Sequence, residues 1–232
     1  MKTIGLIGGL SWLSTASYYR VINESVQQRR GGHASAQIAM QSLDFATVRA
    51  CQQAGEWDAA AAMLADAGRR CQDAGADVVL ICSNLMHKVA DDVAAAIDVP
   101  LLHIADAVAD RARAEGWSTL GLLGARWVME EDFYVGRLAR NGLGALVPDP
   151  DDRTEVDRVI FDELTQGRVE DASRAAYVGV IDRLQAAGAE AVVLGCTEIE
   201  LLVRPGDTSL PLLDSMRVHA EAAVDAALLV DA

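Results

Sequence analysis

The chain has 232 residues, 51% of them apolar and 23% charged, the balance of a globular protein long enough for one large core or two smaller ones. Its formal net charge of −14, with Lys2 and Lys88 the only lysines, argues against nucleic acid or an anionic membrane surface as main partner. No apolar run reaches bilayer length, and the opening residues break into glycines too early for a secretion signal, so the expectation is a cytoplasmic protein.

The first predicted element is a short apolar run over residues 3–9 that ends in Gly8-Gly9 and reads as a buried strand. Helical spacing follows over 16–28, and residues 57–74 form an alanine-rich amphipathic stretch. A second strand, Val78-Val79-Leu80-Ile81, leads into Cys82-Ser83-Asn84, and a helix is expected over 88–97. Leu101-Leu102 precedes a helix over 104–115, and a further buried run, Leu120-Gly121-Leu122-Leu123-Gly124, follows it. Helices are expected over 130–141, 151–164, 170–187 and 215–229, with 148–152 as a loop. Between them lies the apolar run Ala191-Val192-Val193-Leu194-Gly195 that reaches Cys196-Thr197-Glu198.

These strands repeat. Gly8 and Gly124 are 116 residues apart, Ser83 and Cys196 113, and Pro100 and Pro211 111. Three matches in the same order with so little drift indicate an internal duplication. The fold class expected is α/β: two pseudo-symmetric α/β domains, each a parallel sheet flanked by helices, with the active site in the interdomain cleft. The domains are expected over 1–103 plus 210–232 and over 104–209, the last segment returning to complete the first sheet.

Ligands of open parallel sheets bind beyond the carboxyl ends of the strands. The polar residues there are Gly8-Gly9-Leu10-Ser11 and Ser83-Asn84 in the first half, and Ala125-Arg126 and Cys196-Thr197-Glu198 in the second. The duplication makes Ser83 and Cys196 counterparts, and a proton carrier on each wall of a cleft suits inversion at carbon. A thiolate is a workable base where helix N-termini and desolvation tune it. A serine hydroxyl is weaker, and donates a proton more readily than it removes one. Helices starting just past Ser83 and Cys196 would supply N–H groups to a substrate carboxylate.

At these residues the chain resembles the aspartate/glutamate racemase superfamily, specifically its aspartate racemase branch. The resemblance is carried by Gly8-Gly9-Leu10-Ser11-Trp12-Leu13-Ser14-Thr15 with Tyr18, Tyr19 and Asn23, and by Cys82-Ser83-Asn84-Leu85-Met86-His87-Lys88-Val89. Gly195-Cys196-Thr197-Glu198-Ile199 and Leu212-Leu213-Asp214-Ser215 with His219 complete it. It implies an isomerase that racemises a free amino acid without a cofactor, with Cys196 and Ser83 as catalytic acid/base residues and a homodimer as the assembly. Leu10, Gln52, Asn84, Leu85, Ala125, Thr197 and Glu198 fall at the family's substrate-contacting positions. Ser83 stands where two-thiol relatives carry cysteine. Leu85 and Ala125 stand where threonines are usual, so the pocket is expected to be less polar than an aspartate side chain requires.

Other readings stay open. Cys51 and Cys71 fall on helices and are expected to be buried, whereas Cys82 is either core or the second base in place of Ser83. His87 is expected to be structural, Asp214 a strand-end cap and His219 a helix-face residue. Trp12 and Trp127 either line a pocket or close a core. Two functions compete with racemisation: decarboxylation of a disubstituted malonate by a single thiol, and ligand binding without turnover. The four cysteines and four histidines show no metal-ligand spacing, so no metal is expected.

Overall fold

The computed structural model describes residues 1–229. In the first half the elements run β1 (Ile4–Gly8), α1 (Trp12–Arg30), β2 (Ile38–Ser42), α2 (Phe45–Ala54), α3 (Trp57–Asp73), β3 (Val78–Ile81), α4 (Ala90–Ala95), β4 (Leu101–Leu102) and α5 (Ile104–Glu115). The second half continues with β5 (Thr119–Gly124), α6 (Arg126–Glu130), α7 (Asp132–Arg140), β6 (Gly144–Leu146), α8 (Pro150–Asp162), α9 (Asp171–Ala186), β7 (Ala191–Gly195), α10 (Ile199–Leu202), β8 (Leu212–Asp214) and α11 (Ser215–Leu228).

The strands form two four-stranded parallel sheets with the orders β2-β1-β3-β4 and β6-β5-β7-β8. The two orders are the same order, so the duplication is a property of the fold and not only of the sequence. Its details repeat as well. Asp77 N donates to Thr3 O at 2.8 Å and Glu190 N to Thr119 O at 2.9 Å, while Val79 N donates to Pro100 O and Val192 N to Pro211 O. The carboxylates of the same pair repeat the pattern: Asp77 accepts from Thr3 N at 2.6 Å, and Glu190 from Thr119 N at 2.8 Å.

The chain divides into two compact units, Met1–Ile104 with His219–Ala232, and Ala105–Val218. Each has its own core. In the first, Ile7, Val79 and Ile81 of the sheet pack with Leu64, Ala67 and Cys71 of α3 and with Met86, Val89 and Val93. In the second, Leu123, Val192 and Leu194 pack with Val156, Val159 and Ile160 of α8 and Tyr177, Val180 and Ile181 of α9. Helices α3 and α9 occupy equivalent places in the chain order; α3 packs with mainly small buried residues (Ala60, Ala61, Ala65, Ala67 and Gly68), α9 with larger ones (Tyr177, Val180, Ile181 and Leu184).

Four expectations are corrected. Segment 210–232 does not complete the first sheet: β8 pairs in parallel with β7, through Val192–Leu212 to Leu194–Asp214, and only the chain from His219 on belongs with the first unit. The first helix begins at Trp12, because Ser11 caps it by accepting from Ser14 N. The stretch around 88–97 is a 3-10 turn, Leu85–Val89, followed by the short α4. The 148–152 loop is the start of α8, with Asp149 accepting from Asp152 N and Pro150 in the first turn, where its missing N–H costs nothing. No helix among the described residues is long and apolar enough to cross a membrane.

Candidate active site

Each sheet reverses its winding direction at one place, between β1 and β3 in the first unit and between β5 and β7 in the second. The carboxyl ends of those neighbours are where the helices on the two faces diverge and leave room for a ligand. Ser83 follows β3 and Cys196 follows β7. Every residue of both strands is buried, and exposure returns first at Ser83 in one and at Cys196 in the other.

In the first unit β1 leaves the sheet through a strained turn. Gly9 has φ +74°, and a Cβ there would overlap the backbone of Leu43. Ser11 takes φ 132°, a region L side chains rarely adopt, at a cost on the order of 1–3 kcal/mol. The turn is held by Thr15, whose hydroxyl accepts from Gly9 N at 2.9 Å and donates to Ser11 O at 3.1 Å. Ser14 Oγ donates to Cys82 O at 3.1 Å, tying this turn to the end of β3.

The Ser83 turn is clamped by His87. Its Nδ1 lies 2.7 Å from Ser83 O, and its Nε2 lies 3.2 Å from Ile104 N. A backbone N–H can only donate, so Nε2 is assigned as acceptor and Nδ1 as the protonated nitrogen that donates to Ser83 O. Both nitrogens face backbone, which makes His87 a structural bridge rather than a base for the Ser83 hydroxyl. Packed around it are His103, with ring centroids 4.5 Å apart, and His219, at 5.5 Å. His219 Nε2 meets Leu102 O at 3.0 Å and Nδ1 meets Tyr18 OH at 2.9 Å, so its proton is assigned to Nε2 and the tyrosine donates.

Ser83 Oγ accepts from Met86 N at a long 3.4 Å, a loose cap on the following turn. Cys82 is fully buried, and burial pushes its thiol far up, with Cys71 nearby adding to the effect. Of the two residues left open by the sequence, Ser83 is thus the accessible one and Cys82 a core thiol. Leu10 packs into the first core. Gln52 is buried, donating to Met86 Sδ at 3.1 Å and accepting from Arg49 at 3.2 Å. Asn84 and Leu85 are buried beside Ser83 in the turn.

In the second unit, Ala125 is buried at the end of β5 and its carbonyl accepts from Val128 N at 2.8 Å as α6 begins. Asp157 on α8 accepts from Arg126 N at 2.7 Å. Gly195 has no room for a side chain, since a Cβ would come within 2.7 Å of Leu123 O. A cysteine therefore stands at the equivalent point of β3 but not of β7.

Cys196 Sγ donates to Glu198 Oε2 at 3.2 Å, and Thr197 Oγ1 donates to the same oxygen at 2.7 Å. Burial pushes the Cys196 thiol well above its ordinary value and the Glu198 carboxylate adds to it, so the thiol is protonated at rest. Glu198 is 5% exposed, and its other oxygen, Oε1, is buried and meets no hydrogen-bond partner among the described residues. The phenol of nearby Tyr177 is spent on Val156 O at 2.7 Å.

The elements after Ser83 and Cys196 are a five-residue 3-10 turn and the four-residue α10, too short for much of a dipole. The helices expected just past these residues are therefore present only as these short elements. No three His, Cys, Asp or Glu side chains there are grouped so as to hold a metal ion. Sequence reasoning expected His87 to be structural but could not name its partners, Ser83 O and Ile104 N, and it missed the thiol–carboxylate contact. Glu198 lies two positions after Cys196, and that spacing was the available signal for the second.

Two copies of a parallel α/β unit, each with a reactive-type side chain at its switch point, define a duplicated α/β protein with strand-end chemistry. The model of the Asp/Glu/Hydantoin racemase family matches residues 7–223, and the chain belongs to that family and with it to the isomerases. A candidate Asp/Glu racemase from Yersinia pestis is 47% identical over 98% of this chain and 100% of its own, with a TM-score of 0.93. An aspartate racemase homologue from Pyrococcus horikoshii is 30% identical over 98% of this chain and 99% of its own, with a TM-score of 0.83. The aspartate racemase of Picrophilus torridus shares the fold at a TM-score of 0.76 and 17% identity, over 98% of this chain and 94% of its own.

Proposed function

We propose that the protein racemises or epimerises a free amino acid without a cofactor, with Cys196 as one acid/base and Ser83 as the weaker other. The observation that carries this reading is the half-buried Cys196 thiol at the β5/β7 switch point, hydrogen-bonded to Glu198 and matched by position to Ser83 at the β1/β3 switch point. Inversion at Cα needs one group to take the proton and another to return one from the opposite side, and the duplication offers one such group per unit.

Leu10, Gln52, Asn84, Leu85, Ala125, Thr197 and Glu198 are proposed as the substrate-binding residues. Aspartate or glutamate is the first substrate class, and a less polar amino acid the second, because Leu85 and Ala125 bring no hydrogen-bonding side chains to the strand ends. The proposed assembly is a homodimer.

The test is incubation of enantiopure aspartate, glutamate and a panel of neutral amino acids in deuterated water. At least one should gain α-deuterium and invert, and Cys196→Ala should stop both. No exchange into any amino acid would overturn the proposal.

A further inference from the structure

We propose that Glu198 is the anchor for the substrate's α-ammonium group, so that the site selects α-amino acids over acids that lack the amine. The proposal rests on the racemase reading of the same site and adds to it the group that defines the substrate class.

Inside the second unit one buried carboxylate is only half satisfied. Glu198 is 5% exposed, and its Oε2 is fully engaged by Cys196 Sγ at 3.2 Å and Thr197 Oγ1 at 2.7 Å. Its Oε1 is buried and has no donor among the described residues. A buried carboxylate oxygen left without a donor is costly, and a charged donor is the partner that compensates it best. Elsewhere the protein satisfies its buried carboxylate: both oxygens of Glu163 are used, one by Ser173 at 2.6 Å and one by Arg158 at 2.9 Å. Glu198 is the exception, and it is the one that touches the reactive thiol.

Geometry limits what the missing donor can be. A substrate Cα must come within about 3.5 Å of Sγ for proton transfer, and the ammonium is one bond from Cα. The unpaired oxygen belongs to the carboxylate hydrogen-bonded to that sulfur, and the ammonium is proposed to sit on it when Cα is positioned for reaction.

Placement of a cation there also changes the thiol. At rest, burial and the Glu198 charge hold Cys196 protonated. An ammonium on Oε1 neutralises that carboxylate and puts a positive charge beside the sulfur, and both effects favour the thiolate. The thiol would thus become a base when the correct substrate arrives. No covalent bond is formed to the protein: the Sγ proton leaves for solvent, the thiolate takes the α-proton, and the carbanion takes a proton on its opposite face from the Ser83 hydroxyl, which regains one from solvent.

The test compares each amino acid with its 2-hydroxy acid, which has the same shape without the positive charge. Binding of aspartate against malate, glutamate against 2-hydroxyglutarate and alanine against lactate is measured by calorimetry in Cys196→Ser, which blocks turnover. The amino acid should bind roughly 10- to 100-fold more tightly. Adding Glu198→Gln should collapse that preference to within about threefold, while the hydroxy acid keeps its affinity.

Should the Glu198→Gln protein fail to fold, the hydroxy acids as inhibitors of the unsubstituted protein provide the same ratio. A preference that survives Glu198→Gln, or hydroxy acids that inhibit as tightly as amino acids bind, overturns the ammonium anchor while leaving racemisation intact. If the unsubstituted protein exchanges no amino acid at all, the racemase reading falls and the anchor falls with it.

Discussion

Replacing His87 with phenylalanine keeps a ring of similar size but removes both nitrogens. Ser83 O then loses its donor at 2.7 Å, and Ile104 N its acceptor at 3.2 Å. His87 is 2% exposed, so water does not replace either partner, and each orphaned group costs about 1–3 kcal/mol. The sum of about 2–6 kcal/mol corresponds to a melting point lower by roughly 4–24 °C for a chain of this length. His87→Asn is the control, because its amide nitrogen sits where Nδ1 does and still donates to Ser83 O, leaving only Ile104 N unpaired. About half the loss in melting temperature is expected there. In deuterated water the same variants separate stability from positioning. Cys196 alone suffices to exchange the α-proton of the enantiomer it serves, whereas inversion also needs Ser83 in place. His87→Phe should therefore raise the ratio of exchange to inversion for that enantiomer, and His87→Asn should restore it. A His87→Phe protein melting within about 2 °C of the unsubstituted one, or equal ratios in the two variants, would refute the clamp.

Four further outcomes follow from the same geometry. Because the Cys196 thiol is raised above its ordinary value of 9.0 by burial first and Glu198 second, alkylation by iodoacetamide should be slow at pH 8 in the ligand-free protein. Glu198→Gln should speed it, and an unchanged rate would remove Glu198 from the account. The sign for stability is also fixed: above about pH 9 the unfolded thiol ionises while the native one does not, so stability should fall as pH rises past that point in a denaturant titration. Ser83→Ala should slow inversion on the order of 100-fold with little change in melting temperature, since its 3.4 Å cap is weak; Ser83→Cys should invert faster than the unsubstituted protein. If both leave inversion within about twofold, Ser83 is a cap only. Gly9→Ala combines φ +74° with a clash against the Leu43 backbone, and should cost about 3 kcal/mol or more, read as a loss of soluble protein or a lower denaturation midpoint.

The buried strands β1, β3, β5 and β7 and the positions of Ser83 and Cys196 were legible in the sequence, because a strand buried on both faces is a continuous apolar run and the two copies repeat in register. The edge strands β2 and β6 were not. Ile38–Ser42 and Gly144–Leu146 are only partly buried, with no run of buried residues, and their strand character comes from pairing with β1 and β5. The sheet that takes Leu212–Asp214 was also undecidable locally, since three residues carry no preference between two similar sheets; the pairing with β7 decided it. The same division holds at the site. Sequence by itself determined which side chains stand at the strand ends, through duplication and motif. Only the tertiary structure decided their chemical state. His87 is locked by Ile104, 17 residues away, and Cys196 is kept protonated by burial beside a carboxylate. Desolvation and the partners of each polar atom are properties of packing, and no single residue type encodes them.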